Sequence, residues 1–93
     1  MVGVTYSIDA ALAKQLAKMK KKDMGTYRIM MKQIGKVLQN PEVGKPLRSS
    51  LFGLRRLHIG SSFVLSYTYD KNANAVTFLE YADWDTFYRT HAA

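Results

Sequence analysis

Cysteine is absent from this 93-residue chain. That excludes a disulfide scaffold and any thiolate chemistry, and it fits a reducing compartment. No apolar run approaches the roughly 20 residues that a membrane-spanning helix needs. The opening Met1-Val2-Gly3-Val4 lacks a signal peptide's basic region and long apolar segment, so a cytoplasmic protein is expected. Acidic residues are scarce: 7 Asp and Glu stand against 14 Lys and Arg, for a net charge of +7. An excess of that size on a small domain points to a polyanionic partner, although a solvated lysine-rich surface has the same composition. The two histidines, His58 and His91, are far apart in sequence, and Asp83 and Asp85 suit helix capping better than ligation. No metal site is therefore expected, and without a glycine-rich phosphate loop or dinucleotide fingerprint no cofactor is expected either.

What is present is a core-forming chain. Hydrophobic residues make up 47% of it, enough for one domain over residues 1–93 and too short for two. Val2 to Ser7 alternates as a first strand. Asp9 is a good N-cap before Ala10-Ala11-Leu12, and Leu12, Leu16 and Met19 form the apolar stripe of a helix whose other side carries Lys14, Lys18 and Lys21. Asp23 caps a second helix. Tyr27, Met30, Met31, Ile34, Val37 and Leu38 hold its period until Asn40-Pro41 ends it. Two such helices with so short a link predict an antiparallel hairpin. Pro41 to Ser50 reads as a loop. Asp70 to Asn74 reads as a polar turn, and Ala75 to Tyr81 as a strand with Val76, Phe78 and Glu80 on one face. Asp83 or Asp85 starts a short last helix through Phe87, Tyr88 and Arg89. The order β-α-α-β-β-β-α predicts an α+β fold: an N-terminal strand and a two-helix hairpin packed on an antiparallel sheet, with a short C-terminal helix.

The stretch from Leu51 to Tyr69 carries the candidate site. It reads as two strands meeting at a Gly60-Ser61-Ser62 turn. Alternation puts Leu57 and Ile59 on one face and Arg56 and His58 on the other. In the second strand Phe63, Leu65, Tyr67 and Tyr69 share a face opposite Val64, Ser66 and Thr68. One face is thus apolar, and its reverse offers cations and an imidazole.

Lys45, Leu47, Gly53, Arg55, Arg56, Gly60, Leu65, Tyr67 and the segment Phe87-Tyr88-Arg89 form an ordered set along the chain. In that set the chain resembles the RelE/ParE superfamily of type II toxin–antitoxin toxins, which share this length and element order. The resemblance to the RelE branch implies a ribosome-dependent mRNA endonuclease that works without metal through Lys, Arg and a C-terminal tyrosine. It implies two partners as well: the ribosome with its mRNA, and a cognate antitoxin, expected to be an acidic helical protein. By position, Arg56 and His58 stand where that family keeps catalytic cations, and Tyr88 stands near its C-terminal tyrosine. Lys45, Arg48, Arg55 and Arg89 are the expected RNA-binding cations. Two departures remove positive charge: Val64 replaces a strand arginine, and Asp83-Trp84 stands where Arg or His is usual. The alternatives are a ParE-like DNA gyrase inhibitor, or a basic RNA- or protein-binding module without catalysis.

Metal-free RNA cleavage needs a base for the 2′-hydroxyl, an acid for the leaving oxygen and cations for the charge building on phosphorus. His58 suits the proton transfers because imidazole titrates near neutrality. Arg56 suits a phosphate. Tyr88 suits proton donation or stacking on an unpaired base. Each has a plain structural rival: His58 as a surface residue, Arg55 and Arg56 in surface ion pairs, and Phe87, Tyr88 and Trp84 as anchors of the last helix.

Overall fold

Two aspartates set the helical half of the chain. In the computed structural model, which describes residues 3–47 and 53–91, α1 spans Ala10–Lys22 and α2 spans Met24–Gln39. The Asp9 carboxylate accepts from the Ala11 N–H at 3.0 Å and caps α1. Asp23 both closes α1 and opens α2, accepting from the Thr26 hydroxyl at 2.6 Å and the Thr26 N–H at 3.2 Å. Those bonds favour the ionised carboxylate and lower its pKa. One shared residue leaves no room for a longer link, so the helices fold back antiparallel as the spacing predicts. Asn40 ends α2 ahead of Pro41.

The sheet has five strands: β1 (Thr5–Ile8), β2 (Lys45–Pro46), β3 (Leu54–Ile59), β4 (Phe63–Asp70) and β5 (Ala75–Asp83). They lie in the order β1-β5-β4-β3-β2, and α3 (Trp84–His91) follows β5 directly. Gly60, at φ +63°, makes the β3–β4 turn, and the Asp70 carboxylate accepts from Asn72 and Ala73 to make the next. Three expectations are corrected. The sheet is mixed, because β1 runs parallel to β5 with Thr5 opposite Ala75. Alternation tells which residues are buried and says nothing about strand direction. Lys45–Pro46 is a short edge strand on β3, although the segment reads as loop. Finally, a bulge between β4 and β5 at Ser66/Tyr67 resets the alternation in β5. Phe78 faces Tyr67, then Glu80 faces Ser66 and Tyr81 faces Leu65. Glu80 therefore lies on the face opposite to Val76 and Phe78, because a bulge adds one residue to one strand. Leu51, Phe52 and Arg48 lie outside the described residues.

The helical hairpin covers one face of the sheet. Leu12, Leu16, Met30, Ile34 and Val37 bury against Ile59, Leu65, Tyr67, Val76 and Phe78. The other face is covered only in part, by α3 against β4 and β5, where Phe87 and Val64 are buried. That cover explains the Val64 departure. Val64 lies opposite His58 across the β3–β4 pair at 0% exposure, where an arginine would be buried unpaired.

Tyr67 links the core to the site. Its hydroxyl donates to the Pro41 carbonyl at 2.8 Å and accepts from the Gly44 N–H at 2.8 Å, while its cross-strand partner Arg55 donates to the Glu42 and Gly44 carbonyls. Together they clamp the 41–44 segment that delivers Lys45 to the sheet edge. Gly44 is pressed so close that an added Cβ would stand 2.6 Å from the Tyr67 hydroxyl oxygen and 2.9 Å from the Arg56 carbonyl. Tyr67→Phe is expected to cost about 1–3 kcal/mol in denaturant unfolding, because it strands a buried N–H and a carbonyl. An unchanged midpoint would show that the clamp carries no stability.

Candidate functional site

β3 turns Arg56 and His58 to the sheet face opposite the helical hairpin, as period-two alternation requires. Register then builds rows on that face, because directly paired residues share a side. Lys45 of β2 lies opposite Arg56, Arg56 opposite Ser66, and Ser66 opposite Glu80. The next row runs from His58 through Val64 to Ala82.

The last helix closes over one end of these rows. The Asp83 carboxylate accepts from the Thr86 N–H at 2.9 Å and the Thr86 hydroxyl at 2.7 Å, and the Trp84 N–H donates to the Ser62 carbonyl at 2.7 Å. Those bonds, helped by the Arg89 charge, hold the Asp83 carboxyl below its ordinary pKa. Phe87 points into the sheet, so Trp84 and Tyr88, one helical turn apart, meet above Arg56 and His58. Their ring centroids are 4.3 Å apart, and the Trp84 ring stands 4.3 Å from the His58 ring at 69°. The Arg56 guanidinium lies 5.6 Å from the Trp84 centroid and 5.7 Å from that of Tyr88, within cation–π range.

The Arg56 guanidinium lies against the two rings. Arg56 makes no hydrogen bond or ion pair with another described residue, and its Nε is buried without a protein partner, as is the Ser66 hydroxyl in the same row. Partial desolvation lowers the His58 pKa from its usual 6.5, and the Arg56 and Lys45 charges lower it further. The shift favours the neutral imidazole, whose nitrogen lone pair can take a proton.

The structure brings Lys45, Arg56, His58 and Tyr88 together. It does not bring Arg55 there: that side chain lies on the opposite face, spent on the Glu42 and Gly44 carbonyls. Arg89 is exposed on α3 beside Asp83, outside the cluster. Arg48 lies outside the described residues. The sequence leaves Trp84 between stacking on RNA and clamping the last helix, and in the structure it contacts three of the four clustered residues. The signal was its spacing of four from Tyr88, which places two aromatics on one helix face. Among the described residues no group of three His, Cys, Asp or Glu converges as for a metal ion, and no helix is long and apolar enough to cross a membrane.

No protein-family model matches the chain. It is 35% identical over 79 residues, 85% of this chain and 84% of the relative, to a protein of Methanocaldococcus jannaschii named "Putative toxin RelE4". Its fold is similar to that of the YoeB/ParE toxin from Agrobacterium tumefaciens, with a TM-score of 0.74, 11% identity, and coverage of 86% of this chain and 98% of that one. It is similar also to a chain of the intact E. coli RelBE toxin–antitoxin complex, with a TM-score of 0.69, 18% identity, and coverage of 85% and 94%.

Proposed function

From the premise that the chain belongs to the RelE family of toxins of toxin–antitoxin systems, we propose that it is a ribosome-dependent mRNA endonuclease whose site is the face carrying Lys45, Arg56, His58 and Tyr88. The observation that carries this reading is an imidazole flanked by two cations on an open face, with a tyrosine one helical turn from Trp84.

The chemistry follows from those groups. His58 takes the proton of a 2′-hydroxyl, and the freed oxygen attacks the adjacent phosphorus. Charge building on the phosphate oxygens is met by the Arg56 guanidinium, whose donors bond no other described residue, and by Lys45 beside it. The bond to the 5′ oxygen breaks, and Tyr88 supplies the proton that oxygen needs. The products are a 2′,3′-cyclic phosphate and a 5′-hydroxyl. Both proton transfers belong to side chains, so no metal is required. The implied partners are the ribosome with its mRNA and a cognate antitoxin. An acidic antitoxin suits the net charge of +7, and its helices would cover exposed apolar side chains such as Ile29 and Met31.

The test is primer extension on a defined mRNA in a cell-free translation extract. Cuts are expected only with ribosomes present, and absent with Arg56→Ala. Intact mRNA at full occupancy would overturn the nuclease reading in favour of gyrase inhibition or binding alone.

A further inference from the structure

His58 lines two different cavities. One, of about 240 Å³, is bounded by Val43, Lys45, Arg56, Leu57 and His58 and is cationic. The other, of about 350 Å³, is bounded by His58, Ser61, Ser62, Asp83, Trp84 and Asp85. The second is the wrong place for a phosphate, because it has two carboxylates on its rim and no cation. Its size lies within the range of about 300–1,000 Å³ common to small-ligand pockets. It has an aromatic wall and a polar rim, the features by which proteins hold an unstacked RNA base. A nucleotide with its phosphate against Lys45 and Arg56 and its base in the Trp84 cavity would straddle the imidazole.

The rim also bears on which base. Both Asp83 oxygens are engaged by Thr86. Asp85 makes no hydrogen bond or ion pair with another described residue, so its carboxylate is the uncommitted group. A carboxylate only accepts. Guanine alone presents two adjacent donors, its ring N–H and its exocyclic amine, on one edge. Adenine and cytosine set an acceptor beside their single amine, and uracil flanks its N–H with two carbonyls. We propose that this cavity is a guanine-selecting base pocket, with Trp84 as its stacking wall and Asp85 as the reader of the base edge. The proposal rests on the nuclease reading above and assigns its sequence preference.

Trp84 is the sole tryptophan of the chain, so its fluorescence reports on this cavity whether or not RNA is cut. The experiment titrates the four ribonucleoside monophosphates into wild type and Asp85→Asn, and maps cut sites for both by primer extension. Saturable quenching by the guanine nucleotide at roughly tenfold lower concentration than by the others is expected, given the discrimination a bidentate base contact supplies. Asp85→Asn is expected to erase that preference and to spread the cuts away from guanine. Equal quenching by all four nucleotides, or no saturable quenching, would overturn the proposal. Guanine-selective quenching without any cleavage would keep the pocket and remove the nuclease reading. Cuts with the same base distribution in both variants would keep the nuclease and remove the pocket.

Discussion

His58→Ala is expected to lower single-turnover mRNA cleavage about 10²–10⁴-fold, the usual contribution of a positioned general base. Folding should be untouched, because the side chain is exposed and makes only an edge contact with Trp84. The pH dependence adds a finer check. Desolvation and the charges of Arg56 and Lys45 disfavour the imidazolium, so the His58 pKa lies below 6.5. The base form therefore persists on acidification, and the rate should begin to fall only below the ordinary histidine range. Removing a cation relieves the repulsion and raises that pKa. Lys45→Ala should thus move the acidic limb of the rate profile to higher pH, besides lowering the plateau. An acidic limb that stays in place in Lys45→Ala would show that His58 does not feel the neighbouring cations. Undiminished cleavage by His58→Ala would remove it from the chemistry altogether.

The largest stability effect is expected on the same face, at a residue that touches no substrate. Phe87 is wholly buried and ties α3 to β4 and β5. Phe87→Ala should cost about 3–5 kcal/mol through lost transfer energy and the cavity left behind. That is a large share of the roughly 5–15 kcal/mol that stabilises an ordinary domain. Its ring also stands at 89° and 5.3 Å from Tyr88. Loosening α3 would lift Tyr88 and Trp84 off Arg56, so cleavage should fall further than the folded fraction does. Urea unfolding followed by tryptophan fluorescence, with cleavage measured under conditions where the variant is folded, separates the two losses. Activity that tracks the folded fraction alone would mean that α3 is structural cover and contributes nothing to the site.

Much of this protein is legible one segment at a time. Asp9, Asp23 and Asn40-Pro41 punctuate the helices through local hydrogen bonds and backbone restriction. Gly60 and Asp70 mark the turns for the same kind of reason, and alternation in β3 places Arg56 and His58 on one face. Those features depend on neighbours within a few residues, and a sequence displays such neighbours directly. The order of elements and the family likeness follow from them.

The remainder depends on which distant segments meet. Nothing local states that β1 runs parallel to β5, since an alternating strand has no preferred direction. The bulge that moves Glu80 to the face of Arg56 comes from the pairing of two strands, and neither pattern contains it alone. Arg55 and Arg56 are adjacent cations in the sequence. Only the close approach of the 41–44 segment turns one into a clamp on backbone carbonyls and leaves the other without a hydrogen bond to any described residue. Trp84 reads as an anchor of the last helix and Asp85 as a capping residue until α3 folds back over β4 and sets them beside His58. Helices, turns and facing come from short-range sterics and hydrogen bonds, and were written in the sequence. The site is an assembly of β2, β3 and α3 held together by burial of Tyr67 and Phe87, and only tertiary packing decides it.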